Sequence, residues 1–125
     1  MADLGALLRW VGLVKGPPPV ADVVVAPDAL MAQVVQFLRV KHGGRVATML
    51  SDVAEVQMAV LNWYPSNTMA AQLVQLAARA DAEIDVTLLS PVALAATLEI
   101  PLVVTNRELA DLAAGHVSVT LLAAR

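Results

Sequence analysis

Apolar residues recur along this chain in two alternating rhythms. One is the three-to-four-residue spacing of amphipathic helices, and the other is the short β-branched run of strands. Residues 3–15 follow the first: Leu4, Leu7, Leu8, Val11 and Val14 share a helical face, with Asp3 at the N-cap. Gly16 and the prolines 17–19 end this helix in a stiff extended connector. Residues 23–25, all valine, predict the first central strand. A helix follows, with Pro27 in its first turn and Leu30, Val34, Phe37, Leu38 and Lys41 marking its turns to His42. Gly43 and Gly44 close it.

Residues 45–50 predict a second strand, and Ser51 caps a helix carrying Val53, Val56, Val60 and Leu61. Residues 63–67 have turn chemistry. Ser66 or Asn67 opens a helix to Ala80, with Met69, Leu73, Leu76 and Ala77 on its buried side. Residues 83–88 read as a short strand or extended link. Ser90 and Pro91 form an N-cap and first-turn pair for a helix to Glu99, which Pro101 terminates. Residues 102–104 form an apolar run suited to a strand covered on both faces. Thr105 with Glu108 fits a capping box for a helix over 106–114, ended by Gly115. Residues 116–122 alternate as a half-exposed edge strand does. The alternation of strand and helix predicts a three-layer α/β fold, a mostly parallel sheet with helices on both faces. Residues 1–15 then form an added N-terminal helix, 16–20 a Pro-rich linker and 21–125 the α/β domain.

Length and composition narrow this picture. The 125 residues suffice for one domain with a real core. The chain is 58% hydrophobic and 15% charged, with two Trp, one Tyr and one Phe. Little aromatic surface is therefore left for stacking bases or sugars. Cysteine is absent, which excludes disulfides, thiolate metal sites and a cysteine nucleophile. No apolar run reaches the roughly 18–20 uncharged residues of a membrane span. No basic segment precedes an apolar run at the start, so a cytoplasmic protein is expected. The net charge of −3, with basic residues scattered, predicts weak RNA binding.

Known catalytic motifs are few. His42 and His116 have no HExxH partner, and Lys41 to Arg45 lacks the P-loop spacing. No GxSxG is present. Trp63 and Tyr64 suit either a recognition patch or a cover over the core. The apolar face of the N-terminal helix, with Trp10, needs a partner: its own domain, a second copy or another protein.

Residues 92–110, VALAATLEIPLVVTNRELA, carry the one family signal. This helix–Pro-Leu–strand–helix segment resembles the C-terminal signature of PIN domains, the fold of VapC-type ribonuclease toxins. The resemblance implies a Rossmann-like sheet with acidic residues clustered at the strand ends. There they hold Mg²⁺ or Mn²⁺, which activates water and stabilises charge on the phosphate. The first expected acid follows the first strand, where Ala26 stands with Asp28 nearby. The second, a Glu in a helix after the second strand, matches Glu55. The third falls on Leu88, with Asp85 upstream, and the fourth on Asn106. The implied catalytic set is Asp28, Glu55 and Asp85, and the implied metal set adds Asn106.

Each also has an ordinary explanation. Asp28 and Glu55 suit helix first turns, Asp85 a solvent-facing position and Asn106 a helix cap. The resemblance implies a VapC-like protein with an eroded acidic site, acting through protein contacts or weakly on RNA. It needs Mg²⁺ or Mn²⁺ if active and no cofactor otherwise. One alternative is an active metal-dependent endoribonuclease of a toxin–antitoxin system, and another is a Rossmann-like interaction or regulatory domain unrelated to PIN proteins. The expected partner is a second copy or an antitoxin-like protein, burying the stripe of Leu4, Leu7, Leu8 and Val11.

Overall fold

The computed structural model describes residues 1–123. Its elements are α1 (Leu4–Val11), β1 (Val25–Pro27), α2 (Leu30–His42), α3 (Val46–Ala59), β2 (Asn62–Tyr64), a 3₁₀ turn (Ser66–Met69), α4 (Ala70–Arg79), α5 (Val86–Leu98), β3 (Leu102–Val104), α6 (Arg107–Ala113) and β4 (Val119–Leu121). β1 pairs with β2 and β3 with β4, both parallel. Parallel pairing requires a long crossover, and helices supply it: α2 and α3 between β1 and β2, α6 between β3 and β4.

β3 is paired on both edges. One edge meets β4, and the other meets the extended residues 1–3, through a parallel bridge between Ala2 and Val103. Val103 N donates to the Met1 carbonyl at 2.8 Å and Asp3 N donates to the Val103 carbonyl at 3.1 Å. Alternation along β3 then divides its side chains. Leu102 and Val104 join a buried cluster with Leu76 of α4, Leu89, Val92, Ala93, Leu94 and Ala95 of α5, and Leu109 and Ala113 of α6. Val103 packs against a second cluster, built from Ala6 and Leu7 of α1, Leu30, Val34 and Leu38 of α2, and Val56 of α3.

The chain's start is therefore part of the domain and not an addition to it. Leu7 and Leu8, expected to face a partner, are 0% and 4% exposed within their own fold. Trp10 Nε1 donates to the Ala59 carbonyl at 3.2 Å, tying α1 to the end of α3. Leu7 and Leu8 of the expected stripe are thus interior, while Leu4 and Val11 stay half-buried.

Three other expectations fail for local reasons. Residues 45–50 enter α3 because Met49 continues the helical face of Val53, Val56 and Val60, and that period outweighs a short apolar run. The strand partner of β1 comes later, at Asn62–Tyr64, in a segment expected to be a loop. Residues 83–88 are not extended: Asp85 caps α5, its Oδ1 accepting from Thr87 N at 2.9 Å. Ser90 and Pro91 thus lie inside α5. Pro91 cannot donate to the Thr87 carbonyl four residues back, and the Ser90 hydroxyl donates to that carbonyl at 2.6 Å. The helix over 106–114 does form, but Asn106 is its cap, accepting from Glu108 N at 2.8 Å.

Gly5 makes the closest approach of any glycine in the chain. A Cβ there would overlap Thr105 Oγ1 and stand 2.9 Å from Thr105 Cβ. Ordinarily Gly to Ala in a helix gains about 0.5–1 kcal/mol. Here overpacking at a cost of about 1–3 kcal/mol reverses the sign. Gly5→Ala should lower the urea midpoint, and Thr105→Gly in the same chain should restore part of the loss. An unchanged or higher midpoint for Gly5→Ala alone would refute the close approach.

Candidate functional site

Open parallel sheets bind ligands beyond the carboxyl ends of their strands, where side chains from several loops meet. Residues 1–3 and β3 run parallel, so Asp3 and Thr105 emerge at the same end. Asp3 Oδ1 accepts from Ala6 N at 2.9 Å and so caps α1. Its Oδ2 accepts from Thr105 N at 2.9 Å, and the Thr105 hydroxyl lies 3.3 Å from the same oxygen. Burial pushes the Asp3 carboxyl above its ordinary value, while these hydrogen bonds and the charge of Arg9 hold it back in part.

Asp3 borders a cavity of about 140 Å³ shared with Gln33, Leu88, Thr105 and Asn106. Gln33 comes from the first turn of α2, Leu88 from the first turn of α5 and Asn106 from the cap of α6. Both Oε1 and Nε2 of Gln33 are sealed from solvent without a hydrogen-bond partner. Leu4, Gln33 and Leu88 also line a neighbouring groove of about 520 Å³, whose further walls include Phe37, Val40 and Asp85.

The residues expected to form the acidic site are dispersed. Asp28 stands exposed just past β1, its Oδ1 accepting from Ser66 Oγ at 2.8 Å, which links the ends of β1 and β2. Glu55 is exposed on α3, in a shallow depression with Trp10, Val11 and Met58. Asp85 lies at the groove, where the Thr87 backbone N–H and hydroxyl hold its carboxyl below the ordinary range. Only Asn106 of that set reaches the cavity. Among the described residues, no group of three or more His, Asp or Glu side chains is placed to hold a metal ion.

Sequence reading missed two cavity residues. Asp3 is legible as a cap, but its second role follows from the pairing of residues 1–3 with β3, a contact 102 residues away. Gln33 gives no local signal, since a glutamine in a helix is ordinarily solvated. The two histidines have partners: His42 Nε2 is 2.6 Å from Asp52 Oδ2, joining α2 to α3, and His116 Nε2 is 3.2 Å from Arg79 Nη1.

The cavity's donors do not fit the divalent ion that the resemblance implies. Mg²⁺ and Mn²⁺ favour hard oxygen donors, carboxylates above all. The cavity offers one carboxylate, with both oxygens already accepting, and two neutral amides. Asn106 Oδ1 is itself committed to Glu108 N. Comparison of the chain with protein-family models, curated proteins and solved structures finds no match.

The raised Asp3 carboxyl has a definite consequence. The folded state holds this proton more tightly than the unfolded chain does. The associated stability is present below the ordinary aspartate value of 3.8 and is lost as pH rises through the higher folded value. Asp85 acts oppositely, so the measurement is a difference. Wild-type stability minus that of Asp3→Asn should fall as pH rises above 3.8 and then level off. A difference that instead rises with pH would show that the carboxylate's hydrogen bonds outweigh its desolvation.

Proposed function

We propose that the chain is a VapC-like, PIN-like domain with an eroded acidic site, acting through protein contacts and not by cutting RNA. The observation that carries this reading is convergence: Asp3, Gln33, Leu88 and Asn106 line one cavity at the carboxyl end of β3 and its partner residues 1–3. With residues 1–3 taken as the first strand and β1 as the second, the resemblance assigns its four acids differently. The first falls on Asp3, at the end of that strand. The second falls in α2, the helix after β1, where Gln33 stands. The third and fourth remain at Leu88 and Asn106. One of the four positions keeps its charge, and that charge is spent on the cap of α1 and on Thr105.

Further features agree with this assignment. The two buried clusters that flank β3 are what a three-layer arrangement requires. The net charge of −3 disfavours tight RNA association, whose strength rests on neutralised phosphates. Apolar side chains remain outside: Val40, Leu50, Met58 and Leu61 are each at least 63% exposed, which suits protein contacts better than phosphate contacts.

Calorimetry with Mn²⁺ and Mg²⁺, paired with RNA cleavage assays, tests the reading. The expected result is no stoichiometric ion site of micromolar affinity and no Mn²⁺-dependent cleavage above the level of Asp3→Asn. A stoichiometric site together with cleavage that Asp3→Asn abolishes would establish an active nuclease.

A further inference from the structure

We propose that the outward face of α3 is a contact surface for a second copy of this chain, lying antiparallel across a two-fold axis at Ala54; this rests on the reading that the chain acts through protein contacts, and it names the partner.

α3 is apolar on two sides. Val53 and Val56 turn one side into the cluster shared with α1 and α2. The second side remains outside. Val46, Leu50, Ala54 and Met58 follow one another at steps of four, so they form a single ridge along the helix. Val46 and Leu50 are each 63% exposed, Met58 is 87% exposed, and Leu61, just past the helix end, is 70% exposed. Ala54 is exposed as well. No charged residue stands on this ridge. Asp52 and Glu55 lie off it, and Asp52 is engaged by His42. The solvent side of a helix is ordinarily polar or charged, so an uncharged apolar ridge as long as the helix points to a contact surface.

The spacing identifies what covers it. The large side chains stand symmetrically about the small one, Leu50 four residues before Ala54 and Met58 four residues after it. A two-fold contact is self-complementary, so it demands this kind of symmetry. With the axis at Ala54, Leu50 of each copy lies against Met58 of the other, and Val46 against the segment that holds Leu61. The alanine at the crossing lets the helix axes approach closely, and ridges at four-residue steps belong to the commonest helix-pair geometry. Beside Met58 lies the shallow depression bordered by Trp10, Val11 and Ala59, with Glu55 the one charge at its edge. It takes Leu50 of the second copy.

Charge and size agree with the same partner. Each copy carries a net charge of −3, and like charges brought together oppose association. An uncharged ridge is where two such chains meet at least cost, and a partner recognised by charge finds nothing on it to pair with. An interface of ordinary size takes about a tenth of a small protein's surface, here about 700 Å² of the 6908 Å² exposed. The 14 residues of α3 run about 21 Å, so the ridge and the depression supply the apolar centre of such an area. Ser51 and Gln57, both exposed, stand at its rim.

Sedimentation velocity of the whole chain across the micromolar range tests the contact. The wild type should pass from monomer to dimer. Leu50→Asp should weaken association by at least about tenfold. Its circular dichroism spectrum should be unchanged, because Leu50 is largely outside the protomer. The chain has no cysteine, so a single introduced one reports the axis. Ala54→Cys meets its own counterpart and should give a disulfide-linked dimer on mild oxidation, whereas Val46→Cys, far from the axis, should not. A monomer at every concentration would overturn the proposal and leave the face to a different protein. So would a dimer that Leu50→Asp leaves intact, or crosslinking through Val46→Cys in place of Ala54→Cys. If Leu50→Asp unfolds, the two cysteine variants decide. A dimer that cleaves RNA would overturn the non-nuclease reading alone, and a monomer that does not cleave would overturn this contact alone.

Discussion

The carboxylate of Asp3 closes this fold. It accepts from the first turn of α1 and, across 102 residues, from the backbone of Thr105. Burying a charge is costly unless the group is fully hydrogen-bonded, and this one is bonded on both oxygens. A hydrogen bond to a charged group contributes about 1.5–3 kcal/mol, so the pair offsets part of the penalty, and burial still leaves the carboxyl above its ordinary value. The bonds also fix direction. With Asp3 held against Thr105, residues 1–3 must run beside β3, and α1 must leave the strand end at a distance that only Gly5 permits. Both core clusters then meet at β3, through Leu102 and Val104 on one side and Val103 on the other.

α5 serves that junction in a different way. Residues 89–95 are buried without interruption, so the helix has no solvated face along nearly two turns. Small residues make this possible: Ala93 and Ala95 admit neighbours closely where larger side chains would hold them off. Pro91, ordinarily a break, is accommodated because Ser90 supplies the donor that Pro91 lacks. The first turn of this helix precedes its buried stretch and brings Leu88 to the cavity, with the cap Asp85 at the groove.

Legibility in the sequence followed the range of the interactions. β3 and the helix after it were readable because Pro101, the run at 102–104 and Asn106 act within a few residues of themselves. The cap at Asp3 was readable for the same reason. The place of α1 was not, because its amphipathic stripe is equally satisfied by a partner chain and by α3. The second strand was misplaced because residues 45–50 and 62–64 are both short and apolar enough, and only the pairing of β1 chooses between them. Ser90-Pro91 misled because it is a strong local signal that a better-placed cap, Asp85, overrules. The cavity was least legible: Asp3, Gln33, Leu88 and Asn106 come from distant parts of the chain, and their meeting depends on the pairing of residues 1–3 with β3.

Charge economy accounts for the composition of that cavity. Carboxylates gathered in a partly buried space repel one another, and a bound dication compensates the repulsion. Under the proposed reading no ion is required, and each unpaired carboxylate would be a liability of desolvation and like-charge contact. Replacing it by a group of similar shape removes that cost. Asn106 retains an oxygen able to cap α6, and Leu88 adds hydrocarbon to the wall shared with the groove. Asp3 alone performs a task that an amide performs less well, because two backbone N–H groups point at it and an amide offers one acceptor oxygen. The one carboxylate of the cavity is thus also the group that ties α1 to the end of β3.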